Sequence, residues 1–240
     1  MARGRFITIE GGEGAGKSTQ APLLVAALER AGVAARATRE PGGSPGAEAI
    51  RGLLLEGEGG RWDAAAEALL LVAARRDHVA KLIEPALARG VWVVCDRFAD
   101  STLAYQGYGR GLAPADIRAL HRFALGDFAP DLTLILDLPV EIGLARAATR
   151  HAAADRFERL DHAFHERLRQ GFREIAAAQP GRCVLIDATA EPQSVHRAIV
   201  EVVTERLRAN LHQSAPSPRA ATGKGLVQRE GERQPTASGK

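Results

Sequence analysis

The chain has 240 residues, of which 45% are hydrophobic, 25% are charged and 5% are aromatic. This length suits one globular domain with a substantial core, and no apolar run approaches the ~18 residues of a membrane span. The two cysteines, Cys95 and Cys183, lie in or beside apolar runs, which favours buried thiols over a disulfide or a metal pair. Since the N-terminus also lacks the apolar core of a signal peptide, we expect a cytoplasmic protein without membrane contact.

The formal net charge of +3 comes from the C-terminal segment. Residues 213–240 carry five basic and two acidic side chains, a net charge of +3. This equals the net charge of the whole chain, so residues 1–212 are formally neutral. We therefore expect no nucleic-acid-binding face on the domain of residues 1–212. The segment is rich in Ser, Pro, Gly, Ala and Gln without apolar periodicity, which predicts a disordered basic tail. Contact of this tail with RNA or a membrane remains an alternative.

Short apolar runs alternate with longer helical patterns through the first 212 residues. The predicted strands are residues 6–9, 34–38, 91–96, 132–136 and 184–186. The predicted helices include residues 17–31, 46–55, 64–89 and 114–123, with further helices between and after the last two strands. Strands that are apolar throughout and separated by helices indicate a parallel sheet covered on both faces. The predicted fold is therefore α/β, with five parallel strands.

A glycine-rich segment joins the first strand to the first helix. It reads Gly11-Gly12-Glu13-Gly14-Ala15-Gly16-Lys17-Ser18, a complete G-x-x-x-x-G-K-[ST] motif. Glycines bring backbone amides close to phosphate oxygens, and the following helix adds its unpaired N–H groups and positive dipole end. In such a loop the lysine reaches the β- and γ-phosphates and the serine hydroxyl ligates Mg²⁺. The segment therefore predicts a P-loop that binds a nucleoside triphosphate.

A P-loop alone does not separate kinases from GTPase switches or ATPases. The N-K-x-D tetrapeptide with which GTPases read guanine does not occur in the sequence. Asp96 ends the third strand and is a candidate carboxylate near Mg²⁺. Arg97 follows it at the carboxyl end of the sheet, where open α/β sheets bind their ligands.

Phosphoryl transfer needs positive charge at the transferred group, and the interior of the P-loop holds Glu13 and no arginine. Four arginines around residues 151–155 form the obvious reservoir of that charge: Arg146, Arg150, Arg156 and Arg159. A short, arginine-dense stretch suits a lid that closes over the nucleotide and expels water. A solvated helix face explains the pattern equally well, so both interpretations stay open.

Five further motifs follow the P-loop. They are Thr38-Arg39-Glu40-Pro41-Gly42-Gly43, Asp96-Arg97-Phe98, Ala104-Tyr105-Gln106-Gly107, Pro130-Asp131-Leu132-Thr133 and Asp155-Arg156-Phe157-Glu158. Together with the P-loop they resemble the thymidylate kinase family, in the bacterial class whose catalytic arginine lies in the lid. The resemblance extends from residue 5 to about residue 208. It implies a P-loop NTPase fold, ATP as phosphoryl donor with Mg²⁺, dTMP as acceptor and a homodimer.

The resemblance also implies roles for the residues that surround the reacting phosphates. Lys17 and Arg150 would face the transferring phosphoryl group, whereas Arg97, with Arg39 nearby, would grip the acceptor phosphate. A bidentate guanidinium suits that task better than the point charge of a lysine. The metal ligands would be Ser18 and Asp96, and Glu40 would lie near the metal and the phosphates.

A second set of implied roles concerns the sugar and base of the acceptor. Glu13 would approach the 3′-hydroxyl, and Tyr105 would press against the sugar and disfavour a 2′-hydroxyl. Arg75 would donate to a thymine carbonyl, and the other residues of the base pocket would be Leu71, Ser101, Thr102 and Gln106.

Several of these residues have plain structural alternatives. In one alternative, Arg39 and Glu40 pair with each other at a turn. In another, Tyr105 is a core aromatic whose hydroxyl is hydrogen-bonded inside the protein. In a third alternative, Arg75 and Arg76 belong to a solvated helix face.

The family commonly has a phenylalanine, stacked on thymine, where Leu71 stands. Leucine keeps an apolar wall but loses roughly 1 kcal/mol of aromatic contact, which predicts weaker affinity for dTMP.

Two other functions stay open from the sequence. One is a kinase for another nucleotide or for a deoxynucleoside, and the other is a P-loop ATPase that acts as a switch. The R-E-P-G-G and A-Y-Q-G segments argue against the switch, because a switch needs no acceptor pocket.

Overall fold

The computed structural model describes residues 2–56, 61–149, 160–209 and 211. Five strands form one parallel sheet in the order β2-β3-β1-β4-β5. The strands are β1 Phe6–Gly11, β2 Ala35–Arg39, β3 Trp92–Asp96, β4 Leu132–Asp137 and β5 Cys183–Asp187. The predicted α/β fold with five parallel strands is confirmed, and the strand ends agree with the sequence to within two residues.

The described helices connect these strands and cover the sheet. They are α1 Lys17–Arg30, α2 Pro45–Leu55, α3 Ala64–His78, α4 Glu84–Ala88, α5 Ala99–Thr102, α6 Pro114–Leu125, α7 Val140–Ala148, α8 His162–Ala178 and α9 Pro192–Leu207. A π-helical segment, Val79–Ile83, joins α3 to α4, so the helix predicted over residues 64–89 is continuous but not regular. A second π-helical segment, Leu103–Gly109, continues α5 and was not predicted.

The three central strands of the sheet, β1, β3 and β4, are buried on both faces. On one face, Ile7 and Ile9 of β1 pack with residues of α1 and α9, including Leu24 and Ile199. On the other face, Phe6 packs with residues of the α3–α4 helix, and Ile135 of β4 packs with Phe164 and Phe172 of α8. This two-sided burial explains why β1, β3 and β4 are mostly apolar rather than alternating. The edge strand β2 departs from the predicted apolar pattern, because it reads Ala-Arg-Ala-Thr-Arg and is only partly buried.

The remaining general predictions concern the thiols, the membrane and the tail. Cys95 and Cys183 are both free and buried, and burial raises the pKa of the Cys183 thiol to about 12. Among the described residues, no helix has both the length and the apolar character to cross a membrane. The proposed tail, residues 213–240, lies outside the described residues.

Candidate active site

The P-loop lies between β1 and α1, and α1 begins at Lys17 as predicted. Gly16 precedes the helix with a φ of 94°, in the left-handed region. A Cβ atom on Gly14, whose φ is 65°, would lie 1.9 Å from the carbonyl oxygen of Gly143 in α7. The loop therefore packs directly on the helix that leads into residues 150–159, and this close approach requires glycine.

Lys17 is buried against its own loop. Its Nζ donates hydrogen bonds to the carbonyl oxygens of Gly11, at 3.1 Å, and of Gly12, at 2.7 Å. Burial, together with the positive charge of Arg97, lowers the pKa of the Lys17 amine to about 8. The amine thus lies buried at the base of the loop, where the charge of a bound phosphate would stabilise its cationic form.

Ser18 and Asp96 meet at the carboxyl edge of the sheet. The Ser18 hydroxyl donates to Oδ2 of Asp96 over 2.8 Å. This contact follows from the fold, because β3 pairs directly with β1 and ends at the same edge as the P-loop. A hydroxyl and a carboxylate oxygen are hard donors of the kind that Mg²⁺ prefers, so the pair fits the ion.

Arg97 links the P-loop to the segment after β3. Its Nη2 donates to Oε1 of Glu13 over 2.8 Å, and its Nη1 donates to the carbonyl oxygen of Gly11 and to Oγ of Ser101. Arg97 has a φ of 69°, and a non-glycine residue in the left-handed region costs of order 1–3 kcal/mol. Such strain persists where the surrounding contacts hold the residue in place, and it is common at active sites.

Tyr105 packs beneath that guanidinium. The Arg97 carbon Cζ lies 4.9 Å from the ring centroid, and the Tyr105 hydroxyl donates to Oε1 of Glu13. The ring also makes an edge contact with Phe164, with centroids 6.1 Å apart. The description of Tyr105 as a core aromatic with a satisfied hydroxyl is therefore correct for its packing, although the residue also lines a cleft.

Arg75 projects from α3 into the protein interior. The residue is only 2% exposed, so the interpretation as a solvated helix face is wrong for Arg75, whereas Arg76 is exposed. Its Nε donates to Oε2 of Glu40 over 2.7 Å. Its Nη2 donates to the carbonyl oxygen of Phe98 and to Oγ1 of Thr102, at 3.0 and 2.9 Å.

Glu40 and Arg39 turn away from each other, so the suggested pair between them is wrong. The Glu40 carboxylate binds Arg75 and, at 3.1 Å, Nδ1 of His78. Arg39 instead pairs with Glu48 of α2 over 3.0 Å, and both side chains are substantially exposed. The carboxylate that the resemblance placed near the metal is thus engaged by two donors, Arg75 and His78.

Two further buried carboxylates support the site and were not singled out from the sequence. Glu10, at the end of β1, accepts from the backbone N–H of Phe98 and from the Ser101 hydroxyl. Burial and the nearby Asp100 carboxylate raise the pKa of Glu10 to about 7. Glu67 of α3 accepts from Nε2 of Gln106 over 3.1 Å. The sequence held one sign of both residues, because each is an acidic residue inside an otherwise apolar strand or helix pattern.

One open cleft at this edge is lined by the predicted acceptor residues. They are Glu13, Arg39, Leu71, Arg75, Arg97, Ser101, Thr102, Tyr105 and Gln106. Arg51 and Leu55 of α2 also line it and were not predicted. Among the described residues, every one that the sequence assigned to phosphate transfer or acceptor binding therefore lies in or beside one cleft.

A second open cleft lies on the other side of the P-loop, where it is lined by residues 14–20 and by the start of α9. Lys17 and Ser18 line both clefts, so the two meet at these residues. Arg146 of α7 also lines the second cleft, and its guanidinium donates to the carbonyl oxygens of Ala188 and Thr189. Arg146 thus fixes the β5–α9 loop, whereas Arg150, Arg156 and Arg159 lie outside the described residues.

Sequence and structure comparisons agree on one family. The family profile described as Thymidylate kinase matches residues 9–199. A thymidylate kinase from Rhodopseudomonas palustris (strain ATCC BAA-98 / CGA009) is 60% identical over 208 residues, covering 85% of this chain and 90% of that protein. A thymidylate kinase from Caulobacter vibrioides is 59% identical over 208 residues, covering 86% of this chain and 99% of that protein.

A solved structure extends this similarity to the fold. The crystal structure of thymidylate kinase from Ehrlichia chaffeensis superimposes with a TM-score of 0.70 at 36% sequence identity. The match covers 84% of this chain and 99% of the other. With this fold, two clefts that meet at a P-loop, and relatives of near 60% identity, the chain belongs to the thymidylate kinase family.

Proposed function

We propose that this enzyme transfers the γ-phosphoryl group of ATP to dTMP, with ATP in the cleft beside the β5–α9 loop and dTMP in the cleft of Arg75 and Arg97. The observation that carries this proposal is that both clefts share Lys17 and Ser18. A donor in one cleft and an acceptor in the other then bring their phosphates together at the P-loop. Because the enzyme holds both reactants in the right orientation, the reaction between them becomes effectively unimolecular, which lowers its entropic cost.

Arg97 grips the phosphate of dTMP in this proposal, with Arg39 nearby. Its guanidinium is already oriented by Glu13, Gly11 and Ser101. Because these contacts already order the guanidinium, its N–H donors can bind a phosphate with little further loss of side-chain entropy. The attacking phosphate oxygen is anionic, so no strong general base is required, and catalysis consists of positioning and charge stabilisation.

Recognition of the sugar and base is assigned to the residues deeper in the same cleft. Glu13 and Tyr105 are joined by a hydrogen bond, and we assign them to the 3′-hydroxyl and to exclusion of a 2′-hydroxyl, respectively. Arg75 donates to a thymine carbonyl through Nη1, because Nε and Nη2 are held by Glu40, Phe98 and Thr102. Leu71 forms the apolar wall of the base pocket, which Ser101, Thr102 and Gln106 complete.

The residues that hold charge near the donor phosphates are Lys17, Ser18, Asp96 and Arg150. Ser18 and Asp96 supply the oxygen atoms that would hold Mg²⁺, directly or through water. When bound, the ion neutralises charge on the β- and γ-phosphates. Lys17 contributes its ammonium from the base of the loop, and Arg150 is assigned to the transferring phosphoryl group.

We also propose a homodimer formed through α3 and α6. These helices pack side by side, and each exposes a large apolar side chain: Phe123 is 92% exposed and Leu69 is 56% exposed. A second copy of the chain would bury both. The cytoplasmic location stays a proposal, supported by two buried thiols that form no disulfide.

The test of the reaction is a coupled ADP-release assay with Mg²⁺, ATP and a panel of acceptors. We expect strong preference for dTMP over dCMP, AMP and thymidine. Preference for another member of the panel would assign the enzyme to that acceptor instead. ATP turnover that ignores every acceptor would favour a switch ATPase and contradict the proposal.

A further inference from the structure

Glu40 is the centre of a buried polar chain behind the base pocket. Its Oε2 accepts from Nε of Arg75 at 2.7 Å, and its Oε1 accepts from Nδ1 of His78 at 3.1 Å. The side chains of Arg75, Glu40 and His78 are at most 4% exposed. A buried carboxylate of this kind is stable only while its donors stay in place, because a lost partner leaves charge uncompensated.

His78 is itself held from its other ring nitrogen. Nδ1 carries a hydrogen, since a carboxylate oxygen can only accept. Nε2 lies 2.8 Å from Oγ1 of Thr38, at the end of β2. A Cβ atom on Gly43 would lie 2.4 Å from Nε2 and 2.6 Å from Oγ1 of Thr38, and Gly43 has a φ of 88°. The second glycine of the R-E-P-G-G motif therefore leaves the space that this imidazole occupies.

The position of His78 determines how Arg75 and Glu40 pair. An unconstrained carboxylate prefers to bind an arginine with both oxygens, as a fork on two guanidinium nitrogens. Because His78 occupies Oε1, Glu40 binds Arg75 through Nε alone. Nη2 is then available for the carbonyl oxygen of Phe98 and the hydroxyl of Thr102. Nη1 remains for the cleft, which Arg75 lines.

We propose that His78 is a positioning residue that sets the orientation of Arg75 through Glu40, and thereby the affinity for the base of the acceptor. Without the imidazole, Glu40 turns towards Arg75 and draws its guanidinium away from Phe98 and Thr102. The Michaelis constant for the acceptor rises, whereas the phosphate machinery at Lys17 and Arg97 is untouched. This inference rests on the proposed role of Arg75 in base recognition.

The experiment measures kcat, KM for dTMP and KM for ATP in full-length variants. We expect His78→Leu to raise KM for dTMP by about tenfold, as for loss of a hydrogen bond to a charged group, with kcat and KM for ATP within twofold. His78→Asn keeps a donor near the position of Nδ1 and should restore KM for dTMP to within threefold of the parent. His196→Leu, in α9 near Arg30, is the matched control and should leave all three constants unchanged.

A double-mutant cycle tests the route through Glu40. If His78 acts through that carboxylate, adding His78→Leu to Glu40→Gln raises KM for dTMP by much less than it does in the parent enzyme. Independent effects of the two changes would overturn the proposal. So would equal losses in kcat and in both Michaelis constants, which indicate a general structural defect.

Thr38→Val provides a second variant in case His78→Leu does not fold. It removes the hydrogen bond to Nε2 at nearly constant volume and should raise KM for dTMP severalfold through the same chain. Suppose that His78→Leu does not fold, and that Thr38→Val folds with an unchanged KM for dTMP. This result would mean that His78 serves stability, and it would overturn the positioning role. Failure of the parent enzyme to use dTMP would instead contradict the proposed function, and the variants would then be compared with the acceptor that it does use.

Discussion

The guanidinium of Arg97 and the carboxylate of Glu13 form an ion pair of 2.8 Å that joins the segment after β3 to the P-loop. Both side chains are largely buried, so solvent screens the pair only weakly. The pair holds Arg97 in a left-handed conformation that is unfavourable by itself. The acceptor phosphate would thus meet an arginine whose orientation is already determined.

Replacing Arg97 by lysine tests this preorganisation. A lysine keeps the charge but cannot bind Glu13, Gly11 and Ser101 with a planar fork. We expect kcat/KM for dTMP to fall by about 10²-fold, the loss of roughly 3 kcal/mol of charged hydrogen bonds. Arg5→Lys is the control, because Arg5 pairs with Asp131 outside both clefts and is half exposed. If kcat/KM for dTMP were similar in the two variants, Arg97 would not be a residue of the acceptor site.

The pKa of Lys17 predicts how binding of ATP depends on pH. Burial lowers that pKa to about 8, so the amine is charged below pH 8 and becomes neutral as the pH rises through 8. We therefore expect kcat/KM for ATP, which reports the free enzyme, to fall above an apparent pKa near 8. At saturating ATP the phosphates stabilise the ammonium, and kcat should remain level to higher pH.

A Lys17→Arg variant separates this titration from others in the site. Its guanidinium stays protonated throughout the accessible range, so whatever activity remains should lack the inflection near pH 8. If the inflection persists in the variant, it belongs to another group, such as the acceptor phosphate or Glu10.

The sequence predicted what depends on local pattern and on parallel-sheet geometry. Strands such as β1 and β4 are mostly apolar because helices cover both faces, and that pattern is visible in the residues. Ser18 was proposed as a metal ligand from the P-loop motif and Asp96 from its place at the end of the third strand, and the structure joins the two by a hydrogen bond. The membership of the thymidylate kinase family, inferred from ordered motifs, is confirmed by the comparisons.

What the sequence did not predict are contacts between residues far apart in the chain. Glu40 was considered as a partner of adjacent Arg39, but its partners are 35 and 38 residues away, at Arg75 and His78. A helix pattern shows that a residue faces inward without showing which charge it meets there. The helical segment after β3 was missed for a different reason, since its π-helical part does not follow the 3.6-residue period.

Arg150 and Arg146 are only four residues apart, yet we expect their alanine variants to fail in different ways. An arginine that neutralises the transferring group acts mainly in the transition state and is worth about 10³-fold or more in rate. Arg150→Ala should therefore lower kcat strongly with little change in KM for dTMP. Arg146→Ala should raise KM for ATP by about tenfold, because it releases the two carbonyl groups of the β5–α9 loop. A rise in KM for dTMP as the main effect of Arg150→Ala would move that residue into the acceptor site.

The exposed apolar side chains of α3 and α6 predict the oligomeric state. Sedimentation or light scattering should give twice the mass of one chain for the parent enzyme. The double variant Leu69→Glu with Phe123→Glu should shift it to the monomer, because four carboxylates would be buried in each dimer. The matched change Leu185→Glu, at a residue of β5 that is 42% exposed, should leave the mass unchanged. A monomeric parent enzyme would contradict the proposal directly.

Leu71 lines the cleft of Arg75 and Arg97, at the position where the family resemblance led us to expect a phenylalanine. A ring there would stack on thymine and contribute about 1 kcal/mol, which corresponds to about fivefold in affinity. We therefore expect Leu71→Phe to lower KM for dTMP by about fivefold and to leave kcat and KM for ATP unchanged. The measurement is the same coupled assay with dTMP varied at saturating ATP.

The control for this substitution is Leu185→Phe, which adds the same ring on β5, away from the cleft. Its KM for dTMP should equal that of the parent enzyme. An unchanged or higher KM in Leu71→Phe would mean that the cleft has no room for a stacked ring beside α3. Thymine would then be held by its polar edge, through Arg75 and Gln106, rather than by its face.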